Sequence, residues 1–141
     1  MIHLTEEMRS SIDNALDNGT PCVLATASPT GEPGVSLRGS VMAYDDESLA
    51  YWDRTQRAGL EHVEANPKVV VMYRDPKARL AWKFYGEATI YREGSVRDAI
   101  MARVVEQEMS RDPERRGFGV IIRLSRITLF SGEVIQQREE T

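Results

Sequence analysis

The chain has 141 residues, of which 41% are hydrophobic and 28% charged, and its formal net charge is −4. That size suits one domain spanning residues 1–141, the apolar content excludes disorder, and no apolar run is long enough to cross a bilayer. An acidic balance gives no global field for nucleic acid, and the single Cys22 cannot form an internal disulfide.

The start "MIHLTEEMRSS" lacks the basic region and apolar stretch of a secretory signal, so the expected location is the cytoplasm. Thr5 is placed to cap a first helix, with Glu6 and Glu7 where negative charge suits the dipole. Leu4, Met8, Ile12, Ala15 and Leu16 recur at helical spacing, and Gly19 is placed to end the helix. Then "CVLATAS" reads as a strand, "PTGEP" as a turn and "GVSLRGSVMAY" as a second strand. Alternation puts Val35, Leu37, Gly39, Val41 and Ala43 on one face and Arg38 and Ser40 on the other.

A turn at "DDES" leads to the short strand "LAYWD", and Asp53 or Thr55 can cap the helix "QRAGLEHVEAN", which must stop before Pro67. "KVVVMYR" has the continuous apolar run of a strand covered on both sides. "RLAWKFYGEATIY" alternates cleanly, with Leu80, Trp82, Phe84, Gly86, Ala88 and Ile90 on one face. A second long helix is expected from Ser95, which forms a capping-box-like pair with Asp98. Its apolar stripe runs from Val96 through Ile100 and Val104 to Met109. The last strand, "FGVIIRLSRITLFSG", should bend or bulge near Ser125 and Arg126, where its alternation falters. Six strands with helices at the edges, and a hairpin link too short for a parallel crossover, predict an antiparallel β-barrel with α-helical additions.

The order and wording of these segments resemble the pyridoxamine phosphate oxidase-like family of flavin-binding split barrels. The likeness runs from about residue 20 to residue 131 and is carried by the hairpin from Pro21, the helix closed by "ANPKV", the strand "WKFYGEATI" and the closing "GVIIRLSRITLF". The resemblance implies a six-stranded antiparallel split barrel, a homodimer, and FMN in two equivalent sites at the interface. It places Arg38, Gly39 and Ser40 along the flavin ring, with Gly39 allowing close approach, and Trp52 and Asp53 on the segment leading to the phosphate site.

The residue chemistry can be weighed beside that likeness. A phosphate dianion is held by arginine, a hydroxyl and helix-start N–H groups, and Arg54, Thr55 and Arg57 supply these types where strand passes to helix. Trp82 and Lys83 are candidates to reach the cofactor from the partner subunit. Other readings stay open: Arg54 and Arg57 as solvated residues, Arg38 paired with Asp53 for the fold alone, and Trp82 as core or interface. His62, between Glu61 and Glu64 on its helix, reads as solvated and Cys22 as a small buried residue.

Arg57 stands where vitamin B6 oxidising relatives usually carry lysine, and only "EVIQQREET" follows the last strand, so that oxidation is not expected. No catalytic dyad is required, because a flavin carries its own electron-transfer chemistry. The expected activity is transfer of electrons from NAD(P)H or another small donor, through FMN, to a small organic acceptor or dioxygen. The alternatives are a reductase using a deazaflavin coenzyme and a non-enzymatic flavin- or haem-binding module. No nucleic-acid or membrane partner is expected.

Overall fold

A computed structural model describes residues 1–54 and 56–139. In chain order the elements are α1 (Glu6–Asp13), β1 (Cys22–Ala27), β2 (Pro33–Arg38), β3 (Met42–Asp45), β4 (Ser48–Asp53) and α2 (Ala58–Ala65). They continue with β5 (Lys68–Asp75), β6 (Leu80–Tyr91), α3 (Ser95–Arg103), α4 (Glu106–Met109), β7 (Phe118–Thr128) and β8 (Val134–Gln137).

The strands form one antiparallel sheet in the order β2-β1-β5-β6-β7-β4-β3, and β8 pairs with the end of β7 beyond β4. Its two edges, β2 and β3, are consecutive in the chain and joined only by residues 39–41. So short a link forces the sheet to curl until its edges meet, yet no ladder joins them among the described residues. The result is a split barrel: mainly β, antiparallel and not closed.

The expected second strand is therefore two. Val35 and Leu37 on β2 face outward, 74% and 69% exposed, whereas Val41 and Ala43 are buried in the core. Alternation continues through residues 35–43 in the sequence, but the chain changes edge at Gly39 and the same parity changes sides. With β8 added after the last expected strand, six predicted strands become eight.

β4 is buried along its whole length because it is covered on both faces. Leu49 and Tyr51 enter the barrel core with Leu24, Val71, Phe84 and Ile122. Ala50 and Trp52 join a second cluster with Met42, Ile100 and Met109 under α3 and α4. On β6 the predicted face holds: Trp82, Phe84 and Ala88 are buried, and Leu80 and Ile90 pack at its ends. The predicted bulge is present, since Tyr85 pairs with Arg126 and Gly86 with Leu124, leaving Ser125 unmatched. A side chain at Gly86 would collide with the Arg123 backbone, so the bulge needs glycine there.

Thr5 caps α1 as its position predicts, accepting from the Met8 N–H at 3.1 Å. The helix ends earlier than expected, at Asp13, whose carboxylate accepts the Ala43 N–H of the β3 edge at 2.8 Å. Arg103 covers the same edge by donating to the Ala43 and Tyr44 carbonyls. These contacts satisfy backbone groups that an edge strand otherwise presents to other chains.

The second long helix is broken. Its N-cap is Gly94, not Ser95, with no side-chain cap, and Val104 and Val105 adopt extended backbone angles between α3 and α4. Adjacent β-branched residues disfavour continuing the helix. The break turns α4 towards the split. Cys22 is buried, and burial pushes its thiol up to about 12.

Candidate functional site

The split opens into a cleft of about 510 Å³. Its walls come from the end of β2 (Leu37, Gly39), the exit of β4 (Arg54) and α4 with its following turn (Gln107, Glu108, Arg111), with Leu16, Asp17 and Pro21 below. That volume lies within the range of small-ligand pockets, about 300–1,000 Å³. A larger cavity of about 900 Å³ lies elsewhere, on the outside of the sheet by the β6–β7 bulge. It is lined by the bulge residues Gly86, Ser125 and Arg126 but by none of the candidate cofactor-binding residues.

Arg38 ends β2 and turns its guanidinium inward. Its Nη1 lies 3.5 Å from the Asp53 carboxylate, with the two side chains 12% and 0% exposed. The guanidinium sits 5.3 Å from the Tyr51 ring centre, donates to Ser36 at 3.0 Å, and meets the start of α2. There a methyl group on Gly59 would come within 2.7 Å of its Nη2. Asp53 also accepts the Gln56 N–H at 2.8 Å, which shapes the turn into α2, where Gln56 itself adopts a positive φ of 52°. Asp53 is thus the residue that turns strand into helix start, and the Arg38–Asp53 pairing considered from the sequence is present. Among the described residues the buried Tyr51 hydroxyl beside it has no partner, and burial raises its pKa well above the usual phenol value.

Ser40 is locked from both sides: its Oγ donates to the Trp52 carbonyl at 3.2 Å and accepts the Trp52 N–H at 2.9 Å. This fixes the backbone of residues 39–41 against β4. The Trp52 indole donates to Asp112 at 2.9 Å and lies under the Arg97 guanidinium, 4.9 Å from the ring centre. Asp112 also accepts the N–H groups of Arg116 and Gly117. Its slight desolvation alone would raise its pKa. The donated hydrogen bonds and the nearby Arg97 charge outweigh that and hold the carboxyl below its usual value.

The sequence candidates therefore separate. Gly39 and Arg54 line the cleft, and Ser40 adjoins it. Arg57 is exposed at the N-cap position of α2, which among the described residues has no side-chain cap. Thr55 lies outside the described residues. Trp52, Asp53 and Trp82 are buried and present almost no surface to a ligand within one chain. Trp82 stacks on Tyr73 in the barrel core, with ring centres 5.9 Å apart. Lys83 points to the outer surface, where it donates to the Phe130 carbonyl at 3.4 Å. The structure does not bring Trp82 or Lys83 to the cleft of their own chain.

Glu108 carried no signal in the sequence. Its carboxylate lies over Gly39, where an added methyl group would come within 2.9 Å of its Cδ, and 3.8 Å from the Arg54 Nε. His62 is not free in solvent either: its Nδ1 is 2.9 Å from the buried Thr26 hydroxyl.

A model of the family described as pyridoxamine 5′-phosphate oxidase matches residues 4–127. No curated protein matches the chain. Among solved structures, HupZ of Group A Streptococcus has 25% identity and a TM-score of 0.73, covering 94% of this chain and 98% of its own. An FMN-binding protein from Syntrophomonas wolfei has 16% identity and a TM-score of 0.69, covering 94% and 87%. An F420 reductase has 21% identity and a TM-score of 0.58, covering 77% and 89%. For the last two, identity is low enough that the likeness shows the fold alone.

Proposed function

The chain belongs to the pyridoxamine 5′-phosphate oxidase family, and on that premise we propose that it is an FMN-dependent oxidoreductase with its cofactor in the cleft at the split. The observation that carries this reading is the cleft itself, where Arg54 and the open backbone at Gly39 line one wall. The donor set fits FMN. Among the described residues Arg54, one-third exposed, has a single ionic contact at 3.8 Å, and Arg57 is exposed at the start of α2, where no side-chain cap is present. Guanidinium groups and helix-start N–H groups are the donor types that hold a phosphate dianion.

Each residue has a distinct task. Arg54 and Arg57 bind the phosphate. Gly39 lets the ring lie against the chain, and Ser40, fixed to Trp52, keeps that backbone still. Arg38, neutralised by Asp53, positions the strand end rather than carrying free charge to the ligand. Bound FMN supplies the hydride or electron transfer, so the chain needs no acid–base pair of its own. Electrons come from NAD(P)H or another small donor and pass to a small organic acceptor or dioxygen.

The partner in this proposal is a second copy of the chain. Val35 and Leu37 stand exposed beside the half-buried Val23, Ala25, Val70 and Met72 of the neighbouring strands, with which they form one outer face. Leu37 also lines the cleft. Covering this face would remove apolar surface from water and close one side of the site.

A deazaflavin coenzyme is the second reading, supported by the fold shared with the F420 reductase. Purified chain reconstituted with FMN should retain flavin absorbance after desalting and turn over with NAD(P)H. A colourless sample would reject FMN, retained flavin without turnover for any reductant would favour a binding module, and displacement of FMN by the deazaflavin would favour the second reading.

A further inference from the structure

The cleft already holds a negative charge where a phosphate-bearing ligand would bring its own. Glu108 sits on the four-residue α4, which the buried Met109 and a 2.6 Å hydrogen bond from Gln107 to Asp17 hold against the barrel. Its side chain is only 17% exposed, and it packs against the open side of Gly39. Among the described residues its carboxylate accepts no hydrogen bond from a protein donor, and its one ionic contact is Arg54 at 3.8 Å. A carboxylate tucked into a cleft with a single loose contact gains little from its position. Its effect falls on whatever else would use Arg54 and Gly39.

We propose that Glu108 is an internal competitor for the cofactor, occupying Arg54 and covering Gly39 until a stronger anion displaces it. The inference rests on the flavin reading and adds its affinity control. A ligand entering the cleft must take Arg54 from Glu108, and the apparent affinity is reduced by the fraction of molecules in which Arg54 is engaged. A phosphate dianion succeeds because its bonds to a guanidinium are stronger than a long, unaligned carboxylate contact. Riboflavin has the same ring without phosphate and cannot make that exchange. Glu108 thereby makes the site selective for the phosphorylated form.

The test is titration of FMN into the wild-type chain, E108Q, R54A and the E108Q/R54A double variant, followed by flavin fluorescence. E108A repeats the measurement with the side chain removed, and thermal denaturation checks that each variant folds. E108Q is expected to bind FMN about fivefold more tightly than wild type, and the gain to shrink when Arg54 is absent. If wild type binds FMN and E108Q and E108A bind it no more tightly, the competition is overturned while the flavin reading stands. A gain undiminished in the R54A background overturns it too. If neither the wild-type chain nor any variant binds FMN, the flavin reading fails and the competition fails with it.

Discussion

Two arginine–carboxylate pairs stand at the split, and they differ in almost everything except chemistry. Arg38 and Asp53 are sealed under Tyr51 and the start of α2, with Asp53 fully buried. Arg54, the next residue after Asp53, reaches the cleft and meets Glu108 at 3.8 Å with both groups partly exposed. The first pair sets the geometry of the strand-to-helix turn, and the second makes a longer contact at the cleft wall. Neighbouring charges in one stretch of chain can therefore differ in role, one committed to the fold and the other facing the cleft. Burial decides which, because a charge out of water cannot lose its partner cheaply while a half-exposed one can.

The largest effect should come from breaking the sealed pair. Arg38→Ala strands an unpaired carboxylate, and urea denaturation should show a loss of about 3–5 kcal/mol. Replacing both partners with apolar residues, as in Arg38→Met with Asp53→Leu, should recover part of it, the lost Gln56 N–H bond to Asp53 accounting for the rest. If the single substitution costs less than about 1 kcal/mol, the pair is no more committed than a surface contact. Arg54→Ala should do the opposite, leaving stability within about 0.5 kcal/mol of wild type. Its FMN affinity should fall by about ten- to a hundredfold, the worth of a charge-assisted bond. That difference should narrow as salt is raised, because screening weakens exposed charges far more than sealed ones.

The smallest effect concerns the support behind Trp52. Asp112 has its carboxyl held below the usual value in the folded chain, so the unfolded chain binds its proton more readily. Its contribution is fully present above the ordinary carboxylate range and is lost as pH falls through the lowered folded value. Denaturation midpoints measured on acidification should decline in wild type, and decline less in Asp112→Asn. An identical decline in both would remove Asp112 from the account.

Much of the fold was legible because its causes are local. The cap at Thr5, the alternation of β6 and the falter at Ser125 and Arg126 each state their structure within a few residues. The division of β2 from β3 was hidden, since Val35, Leu37, Gly39, Val41 and Ala43 keep perfect alternation while the chain changes edge. The helix break at Val104 and Val105 was written in two β-branched residues, but an apolar stripe running past them masked it. The phosphate-binding candidates Arg54 and Arg57 were visible from residue type and position. Glu108 was not, because it lies far along the chain and only packing of α4 against the barrel brings it over Gly39. The commitment of Arg38 to Asp53 required depth, which a sequence does not display.

The link of residues 39–41 has one more consequence. Since the chain must leave one edge of the sheet and begin the other there, the opening between them is a product of connectivity and not of the side chains that line it. Substitutions at Leu37, Gln107, Glu108 or Arg111 can change what the cleft admits without removing the cleft. The scaffold thus separates having a site from choosing its occupant, leaving selectivity free to drift while the architecture stays fixed.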